Sequence, residues 1–169
     1  MIETERLTLR PWDEADRAPL AAMHADAEVM ADYGGVLSRA QSDAKFDRYV
    51  ATFERHGFSR WAVEDSEQLF LGYAGVRPSP PDHPLGPHAE IGWRLTRSAW
   101  GQGYATEAAR AVRAWAFDSY AFPRLVSFIV PTNARSIRVA QKLGAVRDGT
   151  AALRGVTADI WVHRRPDDA

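Results

Sequence analysis

The run Trp100-Gly101-Gln102-Gly103-Tyr104-Ala105-Thr106-Glu107 has the residue types and spacing to hold a phosphate. An extended run, Ala89 to Leu95, precedes it. A helix-like run from Thr106 to Tyr120 follows, with Ala108, Ala109, Val112, Trp115 and Ala116 recurring at three- and four-residue spacing. Two glycines therefore sit between a strand and a helix start. Glycine reaches positive φ and lets a ligand approach the backbone closely. The first amides of a helix have no intrahelical partner and carry the positive end of its dipole, which suits a pyrophosphate. No Gly-Lys-Ser/Thr follows, so this is not a Walker loop. It is also a poor dinucleotide fingerprint, because Thr106 stands where a third glycine belongs. The plainer alternative is a strand-to-helix turn with glycines for its own geometry.

The same stretch resembles the acetyl-CoA-binding motif of the GNAT superfamily of N-acetyltransferases, (Gln/Arg)-x-x-Gly-x-(Gly/Ala), matched from Trp100 to Ala105 with Trp100 in place of Gln/Arg. The longer string Trp-Gly-x-Gly-Tyr-Ala-Thr-Glu-Ala is similar to the RimJ/RimL branch, where a Trp is common. The similarity runs from Glu3-Thr4-Glu5-Arg6-Leu7 through Asn133 to Gly144. It implies an α/β (α+β) GNAT fold, with a mixed central sheet of about six to seven strands flanked by helices. It also implies acetyl-CoA as co-substrate, no metal, and an amine acceptor that is either a small molecule or a protein N-terminus.

Acetyl transfer to an amine needs a pyrophosphate site, support for the thioester carbonyl, an unprotonated amine, and a way to stabilise the departing thiolate. The amides of residues 101–106 are the expected pyrophosphate site, with Trp100, Gly101, Gln102, Gly103, Tyr104, Ala105 and Thr106 as the cofactor loop. By resemblance, Trp93, Arg94 and Leu95 present backbone groups to the pantetheine arm, which lies like an added strand where two parallel strands splay. A backbone N–H there holds the developing oxyanion. A primary amine with a pKa of about 10 is mostly ammonium at neutral pH, so a base or a water relay must collect a proton. The resemblance puts a carboxylate facing the acceptor at about Glu90, the expected base; the alternative is a strand-end Glu paired with an Arg. Asp159 is the other candidate carboxylate. The family pattern Asn-x-x-Ala/Ser-x-x-x-Tyr falls on Asn133, Ser136 and Ala140, so the usual tyrosine acid is missing. Ser136 is the expected substitute, against a plain surface serine. Asn133 is expected to hold the CoA arm, to cap the helix, or both. Lys142 and Arg138 resemble helix residues near the CoA phosphates, and Arg97 is close to the loop in sequence; the alternative for each is a solvated surface cation. Trp12, Tyr33 and Gly34-Gly35 lie where the family builds its acceptor cleft, or else belong to the core.

The chain has 169 residues, 46% hydrophobic and 25% charged, with a net charge of -1 and no cysteine. Those figures suit one domain able to bury a core. They give no electrostatic footprint for nucleic acid or an anionic membrane, and a cytoplasmic protein is the default expectation. Without cysteine there is no acetyl-cysteine intermediate, and direct attack in a ternary complex is the economical mechanism. Family members are often homodimers, though no pattern here requires it. The alternatives are a non-catalytic acyl-CoA-binding module, kept open by Ala140, and a nucleotide-phosphate binder.

The elements that must position these residues are legible as patterns. Ile2 to Arg10 alternates as a half-buried strand. Asp13, Asp26 and Ser38 are placed to cap three helices, from Glu14 to His24, from Asp26 through Tyr33, and from Ser38 to Arg55. The third is expected to bury Ala44, Phe46, Tyr49, Val50 and Phe53 beneath a solvated charged face. Phe58 to Glu64 and Leu69 to Val76 read as antiparallel strands, and Pro78 to Pro87 as an exposed loop whose His83 and His88 are ordinary loop histidines. Leu125 to Val130 suits a buried strand parallel to Ala89–Leu95. Asn133 to Leu143 is a helix closed by Gly144. Ala145 to Asp148 and Thr157 to Val162 form a final hairpin around Arg154-Gly155.

Overall fold

Leu7 and Leu9 both point inward, as their spacing of two requires, yet the run that holds them is two strands. In the computed structural model, which describes residues 1–79, 82–83, 85–153 and 155–165, the chain turns at Glu5-Arg6 between β1 (Ile2–Glu3) and β2 (Leu7–Arg10). Alternation survives a turn of this kind, so the split was not visible in the pattern. The remaining strands are β3 (Arg60–Asp65), β4 (Phe70–Pro78), β5 (Ala89–Leu95), β6 (Leu125–Ile129), β7 (Val146–Leu153) and β8 (Val156–His163). They form a mixed sheet of eight strands in the order β1-β2-β3-β4-β5-β6-β8-β7, where six to seven were expected. Among the described strands only β5 and β6 pair in parallel. The last hairpin is longer than its pattern suggested and slips register between Arg147 and Thr150. Arg154, the expected turn residue, lies outside the described residues, as do Pro80, Pro81 and Pro84 of the proline-rich loop.

The capping residues start their helices as the sequence suggests. Asp13 forms a capping box with Asp16 ahead of α1 (Arg17–Ala25), and Asp26 accepts from the amides of Glu28 and Val29 at α2 (Ala27–Met30). A 3-10 turn, Ala31–Tyr33, follows and ends in the left-handed Gly34. Ser38 and Gln41 box the start of α3 (Arg39–His56). The crossover helix α4 (Tyr104–Ser119) begins two residues before the expected Thr106, and α5 (Ala134–Lys142) is capped by the Asn133 side chain. One face of the sheet packs Val76, Ile91 and Leu95 on Ala108, Val112 and Ala116 of α4. The other packs Tyr73 on Leu20, Met30, Phe46 and Tyr49 from α1, α2 and α3.

Helix α3 departs from expectation at two positions. Ala44 is exposed, and Lys45 is buried at 6% exposure instead of joining the solvated face. Ser42, Lys45, Phe46 and Tyr49 share the inward stripe by their three- and four-residue spacing, so Lys45 has no route to water along the helix surface.

Two imidazoles are also enclosed. His24 Nδ1 meets Ser42 Oγ at 2.8 Å and His163 Nε2 meets Ser127 Oγ at 2.7 Å. Burial, reinforced by Lys45 and Arg94, pushes His24 down to about 3, and burial with Arg113 pushes His163 down to about 4. An unfolded histidine titrates near 6.5, so below that pH the unfolded chain binds protons that the folded chain refuses. Stability is therefore full above pH ~6.5 and falls with acid, at a slope approaching about 2.7 kcal/mol per pH unit between pH ~6 and ~4 for two such groups. Urea unfolding at stepped pH measures this slope. A flat profile across that window would mean that both rings reach solvent in the folded state.

Candidate active site between two parting strands

Strands β5 and β6 pair only at Ala89 with Leu125 and Glu90 with Val126, and then separate. The gap opens a cleft between the start of α4 and the face of α5. Trp93 fills its floor, packing against the clusters of Ile129, Ala140 and Trp161 and of Ala109, Val139 and Leu143. Ala140, at the family's tyrosine position, is fully buried; a small helix residue here is matched by a large strand residue. Trp93, Arg94, Leu95, Trp100, Gly101, Gly103, Tyr104, Ala105, Thr106, Asn133, Ser136 and Lys142 all line this cleft, together with Arg138. Gln102 does not line it; its side-chain amide donates to the Ser98 carbonyl at 2.9 Å. Arg97 turns away to Glu28, at 2.6 Å.

Gly101 and Gly103 both have positive φ, 78° and 83°, and Gly103 is the N-cap of α4 with no side chain to serve its amides. The Thr106 amide is bonded to the Gly103 carbonyl at 3.0 Å, so it is not part of the cradle. Among the described residues, no acceptor takes the amides from Gly101 to Ala105. The amides of Gly103, Tyr104 and Ala105 stand at the positive end of a sixteen-residue helix, and with Gly101 beside them they suit a pyrophosphate by count and sign. The loop is held from outside by Arg6, which donates to the Gln102 carbonyl at 3.0 Å and pairs with Glu107 at 2.6 Å. Thr4 Oγ1 reaches the same carboxylate at 2.6 Å. Burial alone would raise the Glu107 carboxyl, but the Thr4 and Arg6 bonds outweigh it and hold it below its ordinary value. This explains the chemistry of the Thr4-Glu5-Arg6 opening, which the sequence carried only as a resemblance.

The two carboxylates singled out by sequence are both ion-paired. Glu90 stands between Arg60, at 2.8 Å, and Arg77, at 2.6 Å, one guanidinium on each oxygen. Buried Arg60 reaches it by lying across Gly75 and Gly92; a Cβ on Gly92 would sit 2.7 Å from its Nη2. Each Glu90 oxygen thus accepts a charge-assisted bond from a guanidinium. Asp159 pairs with Arg147 at 2.6 Å. His83 and His88 lie ring to ring at 4.5 Å against Phe128, and among the described residues no group of three or more donors could hold a metal.

A family model described as the acetyltransferase (GNAT) domain matches residues 6–146. The chain belongs to the GNAT acetyltransferase family. It is 34% identical over 145 residues to the uncharacterized protein YkkB of Bacillus subtilis, spanning 85% of this chain and 83% of that one. The crystal structure of an acetyltransferase from Agrobacterium tumefaciens superposes with a TM-score of 0.87 at 30% identity, covering 97% of this chain and 94% of that one. A RimL ribosomal-protein acetyltransferase in complex with coenzyme A shares the fold, with a TM-score of 0.76 at 18% identity and 95% of each chain covered. As a GNAT enzyme the chain is an acetyl-CoA-dependent N-acetyltransferase.

In a GNAT frame, three cleft residues that sequence reasoning missed become informative. Arg135 lies 3.7 Å over the Trp100 ring and spans the cleft from α5. Val29 and Asp32, from α2 and the turn after it, line the same cleft as Arg94. Asp32 is the only carboxylate among the described lining residues, and Thr132 donates to it at 3.3 Å across the opening. No local motif announces Asp32. It sits beside Tyr33, which the resemblance placed near the acceptor, but its role depends on a contact 100 residues away.

Proposed function

We propose that the chain moves the acetyl group of acetyl-CoA directly to a primary amine, with both bound at once, as a cytoplasmic enzyme. The observation that carries this reading is the set of unpartnered amides of Gly101, Gly103, Tyr104 and Ala105, residues that line the same cleft as a carboxylate, Asp32. Those amides, with Arg138 and Lys142, take the pyrophosphate. A backbone N–H of the Trp93–Leu95 stretch supports the thioester oxygen, and Asn133 steadies the arm. We assign proton collection to Asp32, because it faces the cleft, and assign Glu90 the task of holding Arg60 and Arg77 in place. Once Asp32 has taken a proton from the ammonium, the free amine attacks the thioester carbon. A C–N bond forms and the C–S bond breaks. The thiolate takes the proton of Ser136, a half-buried residue that lines the cleft, and the serine oxygen is reprotonated by the second proton that the nitrogen loses as it becomes the amide.

Thermal unfolding with acetyl-CoA, ATP or NAD, followed by thiol release across a panel of amines, tests this reading. Acetyl-CoA at about 100 times its dissociation constant adds about 2.7 kcal/mol and raises the midpoint by roughly 5–10 °C, while ATP and NAD do not. Stabilisation by acetyl-CoA without thiol release from any amine would make the chain a binding module instead.

A further inference from the structure

We propose that Lys45 and Arg94 form a carboxylate-binding subsite on the acceptor side of the cleft, so that the amine acetylated carries a carboxylate of its own. This rests on the transfer reading above. Lys45 is 6% exposed, and its Nζ lies 4.0 Å from the Tyr33 ring centroid and 5.9 Å from that of Tyr49. Among the described residues it has no carboxylate partner; it stands behind Tyr33 and does not itself line the cleft. Arg94 lines the cleft with its Cζ 5.2 Å from the same Tyr33 ring; it donates to the Val29 carbonyl, and its buried Nε has no partner. The other two cations nearby, Arg60 and Arg77, share Glu90. A buried ammonium is costly without a counter-charge, and the face of an aromatic ring returns only part of what water gave it. An incoming carboxylate supplies that charge and takes charge-assisted bonds from the guanidinium.

Two neighbours sit in the field of these cations. Burial would raise the Tyr73 phenol, but Lys45 and Arg94, with the Tyr49 bond and Arg60, outweigh it and bring it down to about 7. Burial and the same two cations push His24 down as well. The geometry adds a spacing constraint. Asp32 and Tyr33 are consecutive, so the turn that presents a carboxylate to the amine also covers the cations. An amine and a carboxylate on one small acceptor match that juxtaposition of opposite charges.

The test compares acceptors in matched pairs, glycine, leucine and phenylalanine against their own carboxamides, by thiol release from acetyl-CoA. The carboxamide amine is the less basic of each pair, so free-amine availability favours the amide, and a preference for the acid requires a site. The expected result is a kcat/KM at least tenfold higher for at least one acid than for its amide. Lys45→Met should shrink that preference mainly through KM for the acid, and Lys45→Arg should restore part of it. Thiol release with equal kcat/KM for acids and amides, or a preference unchanged in Lys45→Met, overturns the subsite while leaving the transfer reading intact. Thiol release from no amine at all overturns the transfer reading itself. If Lys45→Met does not fold, the acid-to-amide ratio of the parent chain still decides.

Discussion

Gly103→Val removes the stabilisation by acetyl-CoA, so that the roughly 5–10 °C rise expected for the parent chain disappears. Gly103 sits at φ 83°, in the left-handed region, and caps a helix whose first amides face the cleft. A β-branched residue there carries strain of roughly 1–2 kcal/mol, which lowers the unliganded midpoint by a few degrees and leaves a folded protein. The larger effect is on binding. A Cβ at Gly103 would only touch Arg6 Nη2, at 3.4 Å, so the expected loss comes from the branched side chain entering the cleft that Gly103 lines and from the strain at its positive φ. Both the space for an anion and the orientation of its donors are lost together. A folded Gly103→Val protein with a normal acetyl-CoA shift would mean that the pyrophosphate binds elsewhere.

The proposed cofactor half of the site could be put forward from sequence because its chemistry is local. Glycines at fixed offsets, a strand before and a helix after are all contained in one stretch, and the structure gathers twelve of the expected cofactor residues around one cleft. The exceptions have local physical reasons: the Gln102 side chain caps a carbonyl four residues back, and the Thr106 amide is used inside the first turn. The acceptor half was hidden because it is assembled from distant pieces. In the proposed site Asp32 comes from the turn after α2, Arg94 from β5 and Lys45 from the middle of α3, on the stripe with Phe46 and Tyr49 that packs against Tyr73. A lysine on an amphipathic helix reads as solvated unless its stripe is known. Glu90 was found by position alone, since strand parity does not say that Arg60 will lie across two glycines to reach it.

Asp32→Asn and Glu90→Gln should therefore fail in different ways. Removing a group that collects a proton from the reacting amine lowers kcat by roughly 10²–10⁴-fold. Asp32→Asn should show that loss at saturating amine, with the acetyl-CoA thermal shift intact, because Asp32 is far in the chain from the loop amides and shares only the cleft with them. Raising the pH should restore rate to Asp32→Asn about tenfold per unit up to the pKa of the amine, near 10, as solvent takes over deprotonation. Glu90→Gln instead leaves buried Arg60 without its anion. Breaking a buried pair from one side costs about 3–5 kcal/mol, enough to lower the midpoint by roughly 10 °C, and the loss of activity should track the loss of fold. A stable Glu90→Gln enzyme with kcat reduced a hundredfold, beside an Asp32→Asn enzyme of normal rate, would return the base to Glu90 and make its two arginines partners that part when the amine arrives.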